Sequence, residues 1–266
     1  MDDGEFGMLA DTLEKSMSSA AAAGRSHVED VLADFGWLEM LGEIPSEATA
    51  LVFRLLGETG THAGVINDVV LAEAGQPPGS TIALPYTGGR WVLWERTAGA
   101  HSAMDPELPL RGCAAGTALP LAGGRRALGW WLVGSARAML TLARRHAVDR
   151  MQFGRPIASF QAVRHRLAES LVAVEGAQAT LLAAEDDPSE LACLLAKAAA
   201  GQAALTTAKH CQQVLGGIGF TAEHDLHRHV KRAFVLDGLL GSTRELTREA
   251  GTVIRTLGHA PRLGNL

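Results

Sequence analysis

The chain has 266 residues, 47% of them hydrophobic and 20% charged, with a net charge of −5. That supplies a real core for one large or two modest domains, and the acidic balance excludes the basic stripe of a nucleic-acid binder. The opening residues, MDDGEFGML, lack the charged-then-apolar order of a secretory leader; no apolar run approaches a membrane span, and a cytoplasmic address is expected. Cys113, Cys193 and Cys211 are odd in number, far apart and set in apolar sequence. They read as small core residues, not as a disulfide framework or a zinc knuckle.

Alanine is abundant in runs that suit helices and aromatics are only 5%, so a mainly α architecture is expected. From about Asp11 to Leu41 the pattern is helical with a break near Gly24, and EIPSEATALVFRLLGETG restarts a helix with Pro45 in its first turn. This forms an N-terminal helical domain, 1–74. Residues 75–124 change texture: Gly and Pro punctuate two strand-like runs, TIAL and RWVLWE, and the TGG between them suits a hairpin turn because glycine tolerates positive φ. Such a shortened β segment is too small for a full sheet domain. Trp91 and Trp94 within it read as packing residues.

Residues 125–266 are expected to form a C-terminal helical bundle. A long Pro-free helix ends at RMQFGRPIASFQ, and Ser159 stands where the next helix would be capped. In that next helix Phe160, Val163, Leu167, Leu171, Val174 and Leu181 recur at helical spacing and should share one face. A third helix starts at Pro188 and stops at Gly216 and Gly217, and AEHDLHRHVKRAF and STRELTREAGTVIRTLG give a fourth and fifth.

Two clusters carry chemistry. DRMQFGRP joins two helices and presents Arg150, Gln152 and the backbone around Gly154, while QQVLGGIGF offers the Gln213 amide and glycines that let a ligand approach closely. Taken singly, each is explained by a helix C-cap and a solvated arginine. Together, DRMQFGRPIASFQAVRHRLAE and QQVLGGIGFTAEHDLHRHVKRA resemble the C-terminal helical domain of the acyl-CoA dehydrogenase family. The similarity covers about Arg125 to Leu257 well and the N-terminal helical part more weakly.

The resemblance implies a flavoprotein fold of N-terminal helices, a central β domain and a C-terminal four-helix bundle. It also implies desaturation of an acyl-CoA, in which a Glu takes the α proton and the β hydrogen leaves as hydride to FAD. By the family's motifs, Arg150, Phe153, Gln213, Gly216 and Gly217, with Gln152 and Gly154 beside them, would contact the ADP part of an FAD held mainly by a neighbouring subunit. Arginine suits a diphosphate by its permanent charge and planar fork of donors, and Phe153 can pack on adenine.

The departures matter as much. The family's two alternative places for the catalytic Glu fall on Leu240 and near Gly124, and neither residue can abstract a proton. The β segment has about half the family's usual length and lacks its flavin-ring stretch. The chain therefore resembles the short, base-lacking subunit of actinobacterial heterotetrameric (α2β2) acyl-CoA dehydrogenases that act on sterol side chains. That implies a second acyl-CoA dehydrogenase-like subunit supplying the Glu and ring pocket, a bulky acyl-CoA substrate and an electron-transfer flavoprotein or similar acceptor.

Other polar groups invite alternatives. His224 and His227 would share a helix face, with His229, Glu223 and Asp225 nearby, but two histidines make no closed metal site, and a polar helix near a subunit interface is expected instead. His101 and Asp105 form a possible acid/base pair in an irregular loop. Two further readings stand beside the subunit reading: a homo-oligomeric enzyme in which His101, Asp105 or Glu223 replaces the lost base, and a flavin-free acyl-CoA-binding or scaffold protein.

Overall fold

A computed structural model describes residues 3–97 and 104–261. The N-terminal helices are α1 (Asp3–Ala22), α2 (Glu29–Asp34), α3 (Trp37–Glu43), α4 (Pro45–Thr59) and α5 (Ile66–Glu73). The first begins eight residues before the expected start and ends ahead of Gly24, whose φ of 77° closes it. Pro45 occupies the first turn of α4, where its missing N–H leaves no bond unmade. No expectation covered α5, because its buried face includes the polar Asn67 and Asp68. Asp68 is satisfied in place: it accepts from Trp37 Nε1 at 3.0 Å and from the Gly79 N–H at 2.7 Å, and it pairs with Arg96.

The middle segment is an antiparallel sheet of three strands in the order β1 (Ala83–Tyr86), β2 (Arg90–Trp94), β3 (Leu110–Cys113). Gly88 and Gly89, at φ of 74° and 70°, make the expected hairpin turn. Trp94 is fully buried with its ring 5.2 Å from that of Trp131, so it packs as expected. The outer edge of β1 is covered: Leu240 N–H donates to Pro85 O at 2.9 Å, and Thr87 N–H donates to Gly238 O at 2.8 Å.

The remaining chain is helical: α6 (Ala122–Asp149), α7 (Gln161–Asp186), α8 (Glu190–Leu215), α9 (Leu226–Gly238) and α10 (Thr243–Leu257). Overall the fold is mainly α, with the arrangement expected of an acyl-CoA dehydrogenase-like chain. One buried cluster runs from Leu13 through Leu240. The N-terminal helices dock on the bundle through α4 and α6, which cross at Gly57 and Gly134. A Cβ on Gly134 would stand 2.1 Å from Arg54 O, so only hydrogen fits there. Cys193 and Cys211 are buried core residues, while Cys113 on β3 is partly exposed.

The α7 stripe packs inward at Val163, Leu167, Val174 and Leu181, while Leu171 is 47% exposed. Two expectations fail here. Ser159 does not cap α7: it ends a 3₁₀ turn, Ile157–Ser159, and its hydroxyl donates to Pro156 O at 2.8 Å, while Phe160 holds the cap position. Finally, α7 and Glu190–Phe220 are each long and apolar enough, by length and composition alone, to cross a membrane. The second is a core helix of the bundle, and periodic alanine rather than a lipid-facing surface accounts for its hydropathy.

Candidate functional site

The turn after α6 is a miniature hairpin, with Met151 opposite Pro156 and Gln152 opposite Arg155. Its two central residues are Phe153 at φ 51° and Gly154 at φ 75°. Two positive φ values in succession call for Asn-Gly or Gly-Gly. A phenylalanine at the first position costs about 1–2 kcal/mol. Packing within the chain does little to offset that cost, for Phe153 is 91% exposed. Its ring meets the edge of Phe160 at 6.0 Å, and Phe160 in turn lies under the Arg155 guanidinium at 4.4 Å. Arg150, the C-cap of α6, is exposed with its carbonyl accepting from Ile157 N–H at 2.8 Å. Gln152 is exposed as well, its amide donating to Met151 O at 2.7 Å.

The second cluster lies at the same end of the bundle. Arg125 at the start of α6 pairs with Glu190 at the start of α8, so these helices run parallel and finish together. Gln213 is exposed on the last turn of α8, and Gly216, at φ 64° and ψ −139°, breaks the helix in a conformation that only glycine adopts easily. A Cβ added to Gly154, Gly216 or Gly217 would meet nothing within 4 Å, so the backbone at both clusters is open to a bulky group. The rings of His146, on the last turn of α6, and His224, just after the second cluster, meet edge to face at 6.4 Å. Sequence reasoning missed Arg155 and this pair, although Arg155 lies inside the quoted motif.

The two places assigned to a catalytic base converge on one spot. Leu240 is buried at φ 55° on the turn between α9 and α10, and a Cβ on Gly124 would stand 2.8 Å from its Cδ1 and 2.8 Å from Val70 Cγ2. Aliphatic carbon fills the space between them. The turn itself is held tightly. Arg125 Nε donates to Leu240 O at 3.3 Å, and the buried Lys197 donates from Nζ to Asp237 O at 2.5 Å and to Gly241 O. Burial pushes the Lys197 ammonium down to about 8.

The alternative bases fare differently. Asp105 is buried and accepts from Arg232 Nε at 2.9 Å, while Arg232 also donates to Gly60 O at 2.7 Å, Thr61 O at 3.0 Å and Glu107 at 3.1 Å. A carboxylate held in such a pair is an ion-pair partner rather than a poised base. His101 lies outside the described residues. Glu223 is exposed in the loop before α9. His229 and Arg232 are buried in that helix. It also starts at Leu226, so His224 precedes it and does not share a helical face with His227. Among the described residues no three His, Cys, Asp or Glu side chains could hold a metal ion. Glu169 and Glu175 are exposed, the latter pairing with Arg137 at 2.8 Å.

The fold is thus that of a helical chain built around a bundle, with open, polar and aromatic motifs at one end. Residues 111–250 match the model of the acyl-CoA dehydrogenase C-terminal domain, and the chain belongs to the acyl-CoA dehydrogenase family. Acyl-CoA dehydrogenase FadE34 of Mycobacterium tuberculosis is 36% identical over 230 residues, covering 78% of this chain and 31% of FadE34. Acyl-CoA dehydrogenase IpdE2 of the same organism is 41% identical over 116 residues, covering 44% of this chain and 36% of IpdE2. The matched regions make up about a third of the length of these relatives. Among solved structures, a Tcur3481-Tcur3483 steroid ACAD variant superposes with a TM-score of 0.75 at 19% identity, covering 96% of this chain and 99% of that one. The ChsE4-ChsE5 complex from Mycobacterium tuberculosis gives a TM-score of 0.68 at 18% identity, covering 98% and 99%. At these identities the likeness is one of fold.

Proposed function

We propose that this chain is the base-lacking subunit of a cytoplasmic, flavin-dependent acyl-CoA dehydrogenase, working in an α2β2 assembly with a second subunit of the same family. The observation that carries this reading is Leu240 packed over Gly124: the chain keeps the turn that would present a base and fills its place with hydrocarbon. The partner supplies the catalytic Glu and the flavin-ring pocket. This chain supplies the grip on the far end of the FAD and half of the bundle interface, to which the uncovered apolar residues of α7 contribute.

The donor set fits the diphosphate and adenine of FAD. Arg150 offers a permanent cation, Gln152 and Gln213 offer amides, and Gly154, Gly216 and Gly217 leave the backbone open. Phe153 presents a fully accessible ring at a strained position, which is where a stacking partner repays its cost. FAD when bound supplies the hydride acceptor for Cα–Cβ desaturation; the residues named here only bind and orient it. The names of the structural neighbours favour a steroid-like acyl-CoA as substrate, and an electron-transfer flavoprotein or similar acceptor would reoxidise the flavin.

Co-expression with a neighbouring acyl-CoA dehydrogenase gene tests this. A yellow mixed complex that oxidises acyl-CoA, from a chain colourless and inactive alone, is the expected result, and Arg150→Ala should lower its FAD occupancy. A chain that purifies yellow and active by itself favours the homo-oligomeric reading, and the absence of any complex or flavin favours the scaffold reading.

A further inference from the structure

We infer that the cleft where α3, α4 and α5 meet the start of α6 is a binding site for a small apolar carboxylic acid, a ligand distinct from the flavin proposed above. The cleft lies at the opposite end of α6 from the Arg150 turn. Its cavity measures about 440 Å³, within the range of small-ligand sites. Leu41, Val69, Ala122 and Pro188 give it apolar walls, and Thr49, Glu73 and Arg126 bring polar atoms to it. It is also separate from the spot that Leu240 fills. Val70 on α5 and Gly124 on α6 face Leu240, whereas their neighbours Val69 and Gly123 meet beside the cleft together with Glu73.

The polar groups of the cleft leave donors to spare. Thr49 is 3% exposed, and its hydroxyl has no hydrogen-bond partner among the described residues. A nearly buried hydroxyl in that state lacks the bond that ordinarily offsets its desolvation. Arg126 is half-buried; among the described residues its guanidinium makes no ion pair and a single hydrogen bond, to Ala184 O at 3.4 Å. The carboxylates nearby are engaged elsewhere. Glu73 accepts the Gly123 N–H at 2.9 Å, at a helix start that the N-cap residue Leu121 leaves without a side-chain cap. A helix N-terminus stabilises a carboxylate, so α6 itself balances Glu73. Glu185, whose charge acts on Arg126, accepts from Trp130 Nε1 at 2.9 Å. What remains is a permanent cation with unused donors and a free hydroxyl beside an apolar hollow. The group that matches the guanidinium fork is a carboxylate, and a hydrocarbon body matches Leu41, Val69 and Ala122.

Calorimetric titration of the intact chain with octanoate tests the site, with 1-octanol as the uncharged probe. Octanoate should bind at one site, and octanol about tenfold more weakly or worse. Arg126→Gln should weaken octanoate about tenfold and Thr49→Val about fivefold. Ala72→Phe, at the exposed rim of the cleft, should block binding and leave the thermal midpoint unchanged. Glu73→Gln should not weaken binding, because the amide oxygen can still accept the Gly123 N–H. Arg126→Gln removes one long hydrogen bond from the free chain, so it keeps the test decisive if Thr49→Val perturbs the fold. No binding of octanoate, equal binding of octanol, or binding that Arg126→Gln and Ala72→Phe leave intact would overturn the site. A loss with Glu73→Gln as large as that with Arg126→Gln would mean that the ligand donates to a carboxylate, and sinks the carboxylic acid.

Discussion

Leu240 Cδ1 lies 2.8 Å from where a Cβ on Gly124 would stand, although 116 residues separate the two in sequence. Each packs because of the other: the glycine leaves a hollow on α6, and the leucine, held at φ 55°, fills it. A Glu at position 240 would be placed in a hydrocarbon pocket with its backbone N–H already taken by Pro85. Leu240→Glu should therefore leave the isolated chain without dehydrogenase activity and destabilise it by about 2–4 kcal/mol. Urea unfolding and an acyl-CoA oxidation assay check both halves; activity in the isolated variant would refute the account.

Arg232 joins α9 to the loop before β3 and to the end of α4 through four hydrogen bonds. Its removal takes away the buried donor that Asp105, Gly60 O and Thr61 O share. Arg232→Met should cost about 3–5 kcal/mol, because breaking a buried ion pair by removing one member is far more costly than losing an exposed one. Arg228 also holds Glu107, at 3.0 and 3.1 Å, but more exposed to water. Arg228→Ala should cost about 1 kcal/mol or less. Equal losses for the two variants, read from denaturant midpoints, would mean that burial does not separate them.

Lys197 gives a pH signature. Its ammonium is held at about 8 in the folded chain against 10.5 for the ordinary group, so between those values the unfolded chain binds more protons. Stability then rises with pH across that window as the burial penalty is relieved. The difference in unfolding free energy between wild type and Lys197→Met should move in favour of wild type by an amount on the order of 2–3 kcal/mol from pH 7.5 to 10.5. A difference that stays constant over that range would show that Lys197 does not titrate there.

Sequence by itself determined most of the helical frame and the two motifs at one end of the bundle. Ala-rich runs bounded by Pro188, Gly216 and the Gly154 turn act through local energetics, the cost of breaking or continuing a helix, and such terms are readable one window at a time. The hairpin at Gly88 and Gly89 was legible for the same reason. The spacing of Arg150, Phe153, Gln213 and Gly216 carried the family, and the positions of Gly124 and Leu240 could be counted off along the chain.

Only the tertiary structure decided how those two positions meet. Contact between Gly124 and Leu240, the pairing of Asp105 with Arg232 and the burial of α9 depend on residues more than a hundred positions apart, and no local pattern encodes them. The cap of α7 failed for a related reason: Ser159 has the right chemistry, but the 3₁₀ turn places it one residue before the cap position, which Phe160 takes. The apolar stripe of α7 gave the helix and its face but left the exposure of Leu171 open, since periodicity reports which residues share a face and not what covers that face. Phe153 shows the division most clearly. Its presence in the turn was visible in the sequence, but its positive φ and bare ring exist only once Met151 and Gln152 pair with Pro156 and Arg155.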